Sequence, residues 1–128
     1  IDLNPQYGDA HLNLGTILKD LGKLQEAELS TRKAIELNPD VAIAHLNLGN
    51  ILNDLGNLQE AEKSYRKAIE IQPNLAKASY FLSLILCQSK KYKEALSLID
   101  ECLIYEPNNH LYLGEKQRIE FILNIDLI

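Results

Sequence analysis

The chain has 128 residues, 46% hydrophobic and 24% charged, enough for the core of one ordinary soluble domain. Its net charge of −5, with Lys and Arg scattered singly, excludes a nucleic acid held through its phosphates, because that binding needs clustered cations that release counterions. No apolar run approaches the roughly 20 residues that span a bilayer and no charged segment leads an apolar one as in a secretion signal, so the expectation is a cytoplasmic protein without membrane contact.

From the first residues onward the chain repeats itself. Pro5, Pro39, Pro73 and Pro107 recur at the 34-residue step of a helical-hairpin repeat, and the same step relates Ala10, Ala44 and Ala78, then Leu14, Leu48 and Leu82, then Ala27, Ala61 and Ala95. The opening IDLNPQY lines up with IELNPDV at the end of the next unit, so residues 1–7 read as the tail of a preceding, truncated repeat. Three repeats follow at 8–41, 42–75 and 76–109, and 110–128 reads as a C-terminal capping helix and tail. A start at Ile1 with no Met anywhere reads as a segment of a longer protein.

Each repeat carries two helical patterns. In the second, Ala44, Leu48, Ile51, Leu52 and Leu55 share one helix face, and Leu58, Ala61, Tyr65, Ala68 and Ile69 share another. Gly22 and Gly56 separate the two helices in the first and second repeats, where a tight helix ending favours positive φ. The prolines close the units and push Asn38, Gln72 and Glu106 away from helical angles. Asp40, Asn74 and Asn108 are the expected N-caps of the helices that follow. Ala27, Ala61 and Ala95 should lie where the second helix crosses the first, opposite Gly15, Gly49 and Ser83, small side chains that let the axes approach closely.

The phased prolines, alanines and glycines, with the blocks AHLNLG and LQEAE, resemble the tetratricopeptide repeat family over residues 1 to about 109, and the LNLG and EAE blocks are similar to repeats of the O-linked N-acetylglucosamine transferase type and of bacterial multidomain proteins. The resemblance implies an all-α fold, an α-α superhelix of antiparallel hairpins ending in a capping helix. Departures from the family pattern are His11, His45 and Ser79 in place of an early aromatic, Thr31 where the next unit has Tyr65, and Ser83 and Lys90 in place of two glycines of the third repeat. His11 and His45 lie on neighbouring hairpins, roughly 8–10 Å apart at helix spacing, too far to share a metal whose ligands bond at about 2 Å. Cys87 and Cys102 fit neither a metal-ligand spacing nor a disulfide framework and read as packed thiols in a reducing compartment.

By the same resemblance the first helix of each repeat lines a concave groove. Its candidate binding residues are Asn13, Thr16 and Asp20 in the first repeat, Asn47, Asn50 and Asp54 in the second, and Lys77, Tyr80, Phe81 and Leu84 in the third. Asn13 and Asn47 stand where transferase-type repeats carry an asparagine ladder, and an amide both donates and accepts, matching the C=O and N–H of an extended peptide; an exposed helix face solvated by asparagines is the alternative. Phe81 ends the ladder. A clamp for a partner's C-terminal carboxylate is not expected, since Asn47 and Lys77 match its pattern but Leu12, Thr16 and Phe81 do not. Asp20 and Asp54 favour a polar or basic ligand segment, and Tyr80, Phe81 and Leu84 either accept an apolar side chain or lie under the chain's own next helix.

Beyond His110 the repeat phase fails, yet a last helix fits Leu111 to about Asn124, with Glu115, Lys116, Gln117, Arg118 and Glu120 as its polar outer face. The apolar FILNIDLI packs back, self-associates, or leads into a further domain. The function read from these features is a non-catalytic interaction module or scaffold that binds another protein or peptide, part of a larger protein, with no cofactor and no metal. The alternatives are a structural or self-associating spacer, through the tail or the open repeat ends, and the substrate-recruiting domain of a glycosyltransferase-like enzyme. Acid pairs such as Glu26 with Glu28 are i, i+2 neighbours that diverge on a helix, and no nucleophile motif or Gly-rich phosphate loop is present.

Overall fold

A computed structural model describes residues 5–126, all-α throughout. The first four residues of the segment read as a preceding repeat's tail, and Leu127 and Ile128 of FILNIDLI, lie outside the described residues. The chain divides into two compact units, Ile1–Gln72 and Pro73–Ile128.

The first unit holds two antiparallel hairpins, α1 (Pro5–Asp20) with α2 (Leu24–Leu37) and α3 (Ala42–Asp54) with α4 (Leu58–Ile71). Helix α1 starts at Pro5, so this proline opens a helix where the repeat phase makes it close one; the first helical position lacks an intrahelical N–H partner anyway and tolerates proline. Pro39 and Pro73 do lie in turns between helices, and Asn38 and Gln72 before them are extended, at φ −147° and −137°. The expected caps are displaced by one residue. Val41 and Leu75 occupy the N-cap positions of α3 and the first helix of the second unit, and neither makes a side-chain capping bond, so Asp40 and Asn74 stand one residue too early to reach the free N–H groups.

The helix crossing is tight, with Ala27 near Gly15 as expected but Tyr65, not Ala61, closest to Gly49. Ala27 and Ala61 are fully buried. A Cβ added at Gly49 would stand 2.5 Å from Cε1 of Tyr65, and one at Gly15 would collide with Thr31 Oγ1 and lie 3.3 Å from the Ala27 carbonyl oxygen. Tyr65, wholly buried, fills the space between α3 and α4, whereas the smaller Thr31 leaves its hydroxyl buried without a hydrogen-bond partner. The face of α3 that meets α2 and α4 is closed, with Leu48 and Ile51 at 4% and 0% exposure. The same residues on α1, Leu14 and Ile17, are 45% and 56% exposed because α1 packs chiefly on α2 alone.

The second unit holds α5 (Ala76–Gln88) and α6 (Tyr92–Tyr105) as a hairpin, with α7 (His110–Asp126) against α6. Ala95, Ile99, Ser83 and Ile119 are buried at its centre. The cap of α7 is Asn109, not Asn108: its Oδ1 accepts from the N–H groups of Leu111 at 2.9 Å and Tyr112 at 3.4 Å. Cys102 Sγ donates to the Ala76 carbonyl at 3.3 Å, and burial pushes this thiol up to about 12.

All three hairpin turns end their first helix with one paired set of hydrogen bonds. Gly22 and Lys23 donate to Lys19 and Leu18, Gly56 and Asn57 to Asn53 and Leu52, and Lys90 and Lys91 to Cys87 and Leu86. This motif demands positive φ at its central residue, supplied at 79° by Gly22 and 83° by Gly56, but forced on Lys90 at 62°. A non-glycine residue pays about 1–2 kcal/mol there, partly offset in glycine by a floppier unfolded chain. Lys90→Gly should therefore stabilise the second unit by about 0.5–1 kcal/mol, seen as a higher urea midpoint at unchanged slope.

Candidate functional site

In the first unit α1 and α3 carry six of the candidate residues, and the structure pairs them differently from a simple ladder. Asn13 lies exposed on α1. Asn47 reaches Thr16 instead, its Nδ2 donating to Thr16 Oγ1 at 3.4 Å, while that hydroxyl donates to the Leu12 carbonyl at 3.1 Å. Asn50, three residues along α3, accepts at Oδ1 from the Tyr65 hydroxyl at 2.6 Å. Both amides are thereby oriented. Asn47 keeps its carbonyl oxygen free to accept, and Asn50 keeps its amino group free to donate. Residues at i and i+3 sit about 5–6 Å apart on one helix face, so an acceptor and a donor stand side by side.

The acidic end of this face is weaker than Asp20 and Asp54 alone imply. Lys19 Nζ lies 3.6 Å from Asp54 Oδ2, which offsets part of that exposed carboxylate's charge, while Asp20 is exposed without such a pair among the described residues. Burial, and then the charge of Asp54, push the Tyr65 phenol up, so Tyr65 stays protonated and donates to Asn50 across the physiological range. His45 is buried beneath α3's start with Nε2 2.9 Å from the Pro39 carbonyl; a carbonyl only accepts, so Nε2 carries the proton.

In the second unit Lys77 is exposed and Phe81 and Leu84 are half-buried on α5. Tyr80 is not available as an open platform. Its ring lies 5.3 Å from Tyr112 of α7 and 5.5 Å from Phe81, packed on the cluster of Ala76, Cys102 and Tyr112, so the chain's own last helix covers it. Of the polar face expected on α7, Gln117, Arg118 and Glu120 are exposed, whereas Glu115 and Lys116 are drawn to partners. Glu115 turns inward to the Arg118 guanidinium and the buried Cys87, 3.8 Å from its sulfur, and Lys116 pairs with Asp100 of α6 at 2.9 Å. The exposed side of α7 also shows Leu111, Phe121 and Ile125 beside those polar residues. Among the described residues no group of three His, Cys, Asp or Glu side chains is placed to hold a metal, and no helix is long and apolar enough to cross a membrane.

The sequence profile of the tetratricopeptide repeat family matches residues 8–41 and 42–75, more than half of the chain. No curated protein matches it in sequence. Among solved structures the chain is similar to the first tetratricopeptide domain of Spaghetti (RPAP3) bound to the HSP90 peptide SRMEEVD, at TM-score 0.90 and 21% identity over 94% of this chain and 96% of that one. It is also similar to the OM64 domain of Arabidopsis, at TM-score 0.87 and 23% identity over 91% and 97% of the two chains. MamA aligns at TM-score 0.76 and 25% identity over 81% of this chain and 61% of its own.

Proposed function

This chain belongs to the tetratricopeptide repeat family, and from that premise we propose that it is a non-catalytic module whose α1 and α3 face binds an extended peptide segment of another protein. Residues 76–109 are read as a third repeat and 110–128 as its cap. The observation that carries the reading is the oriented pair on α3, Asn47 offering an acceptor and Asn50 a donor to a peptide backbone. A structural neighbour holds an HSP90 peptide, which supports a peptide as the class of ligand. An acidic C-terminus is not the expected ligand here, because Leu12, Thr16 and Phe81 stand where a carboxylate clamp needs basic and amide groups.

The test is selection of ligands from a phage-displayed library of linear peptides, followed by titration of the selected peptides. Each lost hydrogen bond is worth about 0.5–1.5 kcal/mol, so Asn47→Ala with Asn50→Ala should weaken such a peptide at least about fivefold. Equal affinity in the double variant would remove the amide pair from the site. A self-associating spacer is the second reading, favoured by the uncovered apolar side of α1 at Leu14 and Ile17. Sedimentation velocity over a concentration series separates the two, since a monomer at all concentrations leaves only the peptide-binding module.

A further inference from the structure

A concavity of the first unit lies away from the α1 and α3 amides, between α2 and α4. It is a cavity of about 430 Å³, within the range of sites that take a ligand group. Its floor is Ile35 with the buried Leu48, His45 and Ser64. Above that floor stand three cations, Arg32, Lys63 and Lys67, against one lining carboxylate, Glu36, which is drawn aside to Lys33 at 3.7 Å. In a chain of net charge −5 this is a local reversal of sign.

The walls are held at a set distance. Arg32 binds Glu28 of its own helix at 2.8 Å and Glu60 of α4 at 3.0 Å, which ties α2 to α4 across the rim and spends the Arg32 charge on that link. Lys67 has Glu70 only at 3.6 Å with much of its side chain exposed, and Lys63 has no ion-pair partner among the described residues. Lys63 is therefore left facing solvent, with Lys67 loosely paired beside it, over a floor on which apolar Ile35 and Leu48 adjoin His45 and Ser64. The α1 and α3 face, with Asp9 and Asp20 exposed, presents the opposite sign.

We propose that this groove is a second binding site, for an acidic segment of a partner protein that sets one large apolar side chain on Ile35 and Leu48 and its flanking carboxylates on Lys63 and Lys67. The apolar part of the floor gives the side chain its burial. The lysines give the choice of sign, since charge complementarity discriminates partners more than it adds raw affinity.

The test uses the whole chain, labelled with ¹⁵N, and a blocked pentapeptide with one phenylalanine between two pairs of glutamates. Amide shifts should cluster at Ile35, Leu48, Lys63, Ser64 and Lys67, and Lys63→Glu with Lys67→Glu should weaken binding at least about tenfold, roughly one decade per 1.4 kcal/mol lost. Should that charge reversal disturb the fold, Lys63→Gln alone should still weaken it about threefold. Replacing the phenylalanine by alanine should abolish the shifts. Equal binding of the same peptide flanked by lysines, shifts confined to Asn47 and Asn50, or no shifts at millimolar peptide would each overturn the proposal; the second of these would assign the peptide to the α1 and α3 face.

Discussion

Tyr65→Ala should destabilise the first unit by about 3–5 kcal/mol, the largest loss expected from any single replacement argued for this protein. The ring is wholly buried and stands against α3 at Gly49, so its removal leaves a cavity between the two helices. It also strands the Asn50 carbonyl oxygen, which takes the Tyr65 hydroxyl at 2.6 Å. Urea unfolding followed by circular dichroism reads the effect as a fall in midpoint. A shift of under 1 kcal/mol would mean that the ring is not the wedge between α3 and α4. Tyr65→Phe separates the two roles. It keeps the packing and loses one hydrogen bond, about 1 kcal/mol, but frees the Asn50 amide to rotate, so affinity for an extended peptide should fall while stability drops far less than in Tyr65→Ala.

Much of this arrangement was legible in the residues because it is periodic. Helix pairing, the glycine-centred turns and the buried alanines follow from the 34-residue step, since each residue type answers a local demand that recurs in every unit. The parts that escaped are those where one unit meets a different neighbour. Identical Leu14 and Leu48 differ tenfold in exposure, because burial on a hairpin array depends on which helix lies alongside and not on the side chain itself. The displaced caps escaped because one residue of phase in a turn decides whether a side chain reaches the first free N–H groups. Glu115 and Lys116 were read as solvated on α7, yet both find partners inside the unit, and charge alone gives no sign of that. For the candidate site, the presence of Asn47 and Asn50 was legible but their orientation was not. Thr16 fixes one amide and Tyr65 the other, from different helices, and no spacing rule relates those positions. The cationic groove between α2 and α4 escaped for a similar reason, as its floor comes from α3 and its rim from two other helices.

The second large effect is best read as a cycle, since the chain meets one packing problem in different ways. The first helix presents Gly49 to Tyr65 in the first unit, whereas the equivalent stations in the second unit hold Ser83 and Ile99, both fully buried. Between these two pairs a larger side chain on one helix goes with a smaller one on the other, whereas Gly15 with Thr31 joins two small residues and leaves the Thr31 hydroxyl unpaired. Gly49→Ser alone should cost about 1–3 kcal/mol, because its Cβ would fall 2.5 Å from a buried ring that has nowhere to move. Tyr65→Ile alone should cost about 2–4 kcal/mol through the unfilled space beside Gly49. Together they recreate the serine and isoleucine pair, and the double variant should be more stable than the sum of the two losses by about 1–2 kcal/mol, within the range found for directly contacting residues. Ser83 Oγ donates to the Tyr80 carbonyl at 2.6 Å, one turn back on its own helix, and a serine at 49 has the Leu46 carbonyl at the same spacing, so the introduced hydroxyl need not be left unpaired. Four urea curves with a common slope decide the matter. Additive losses would mean that Gly49 and Tyr65 do not share the crossing, and that the glycine answers some other demand of α3.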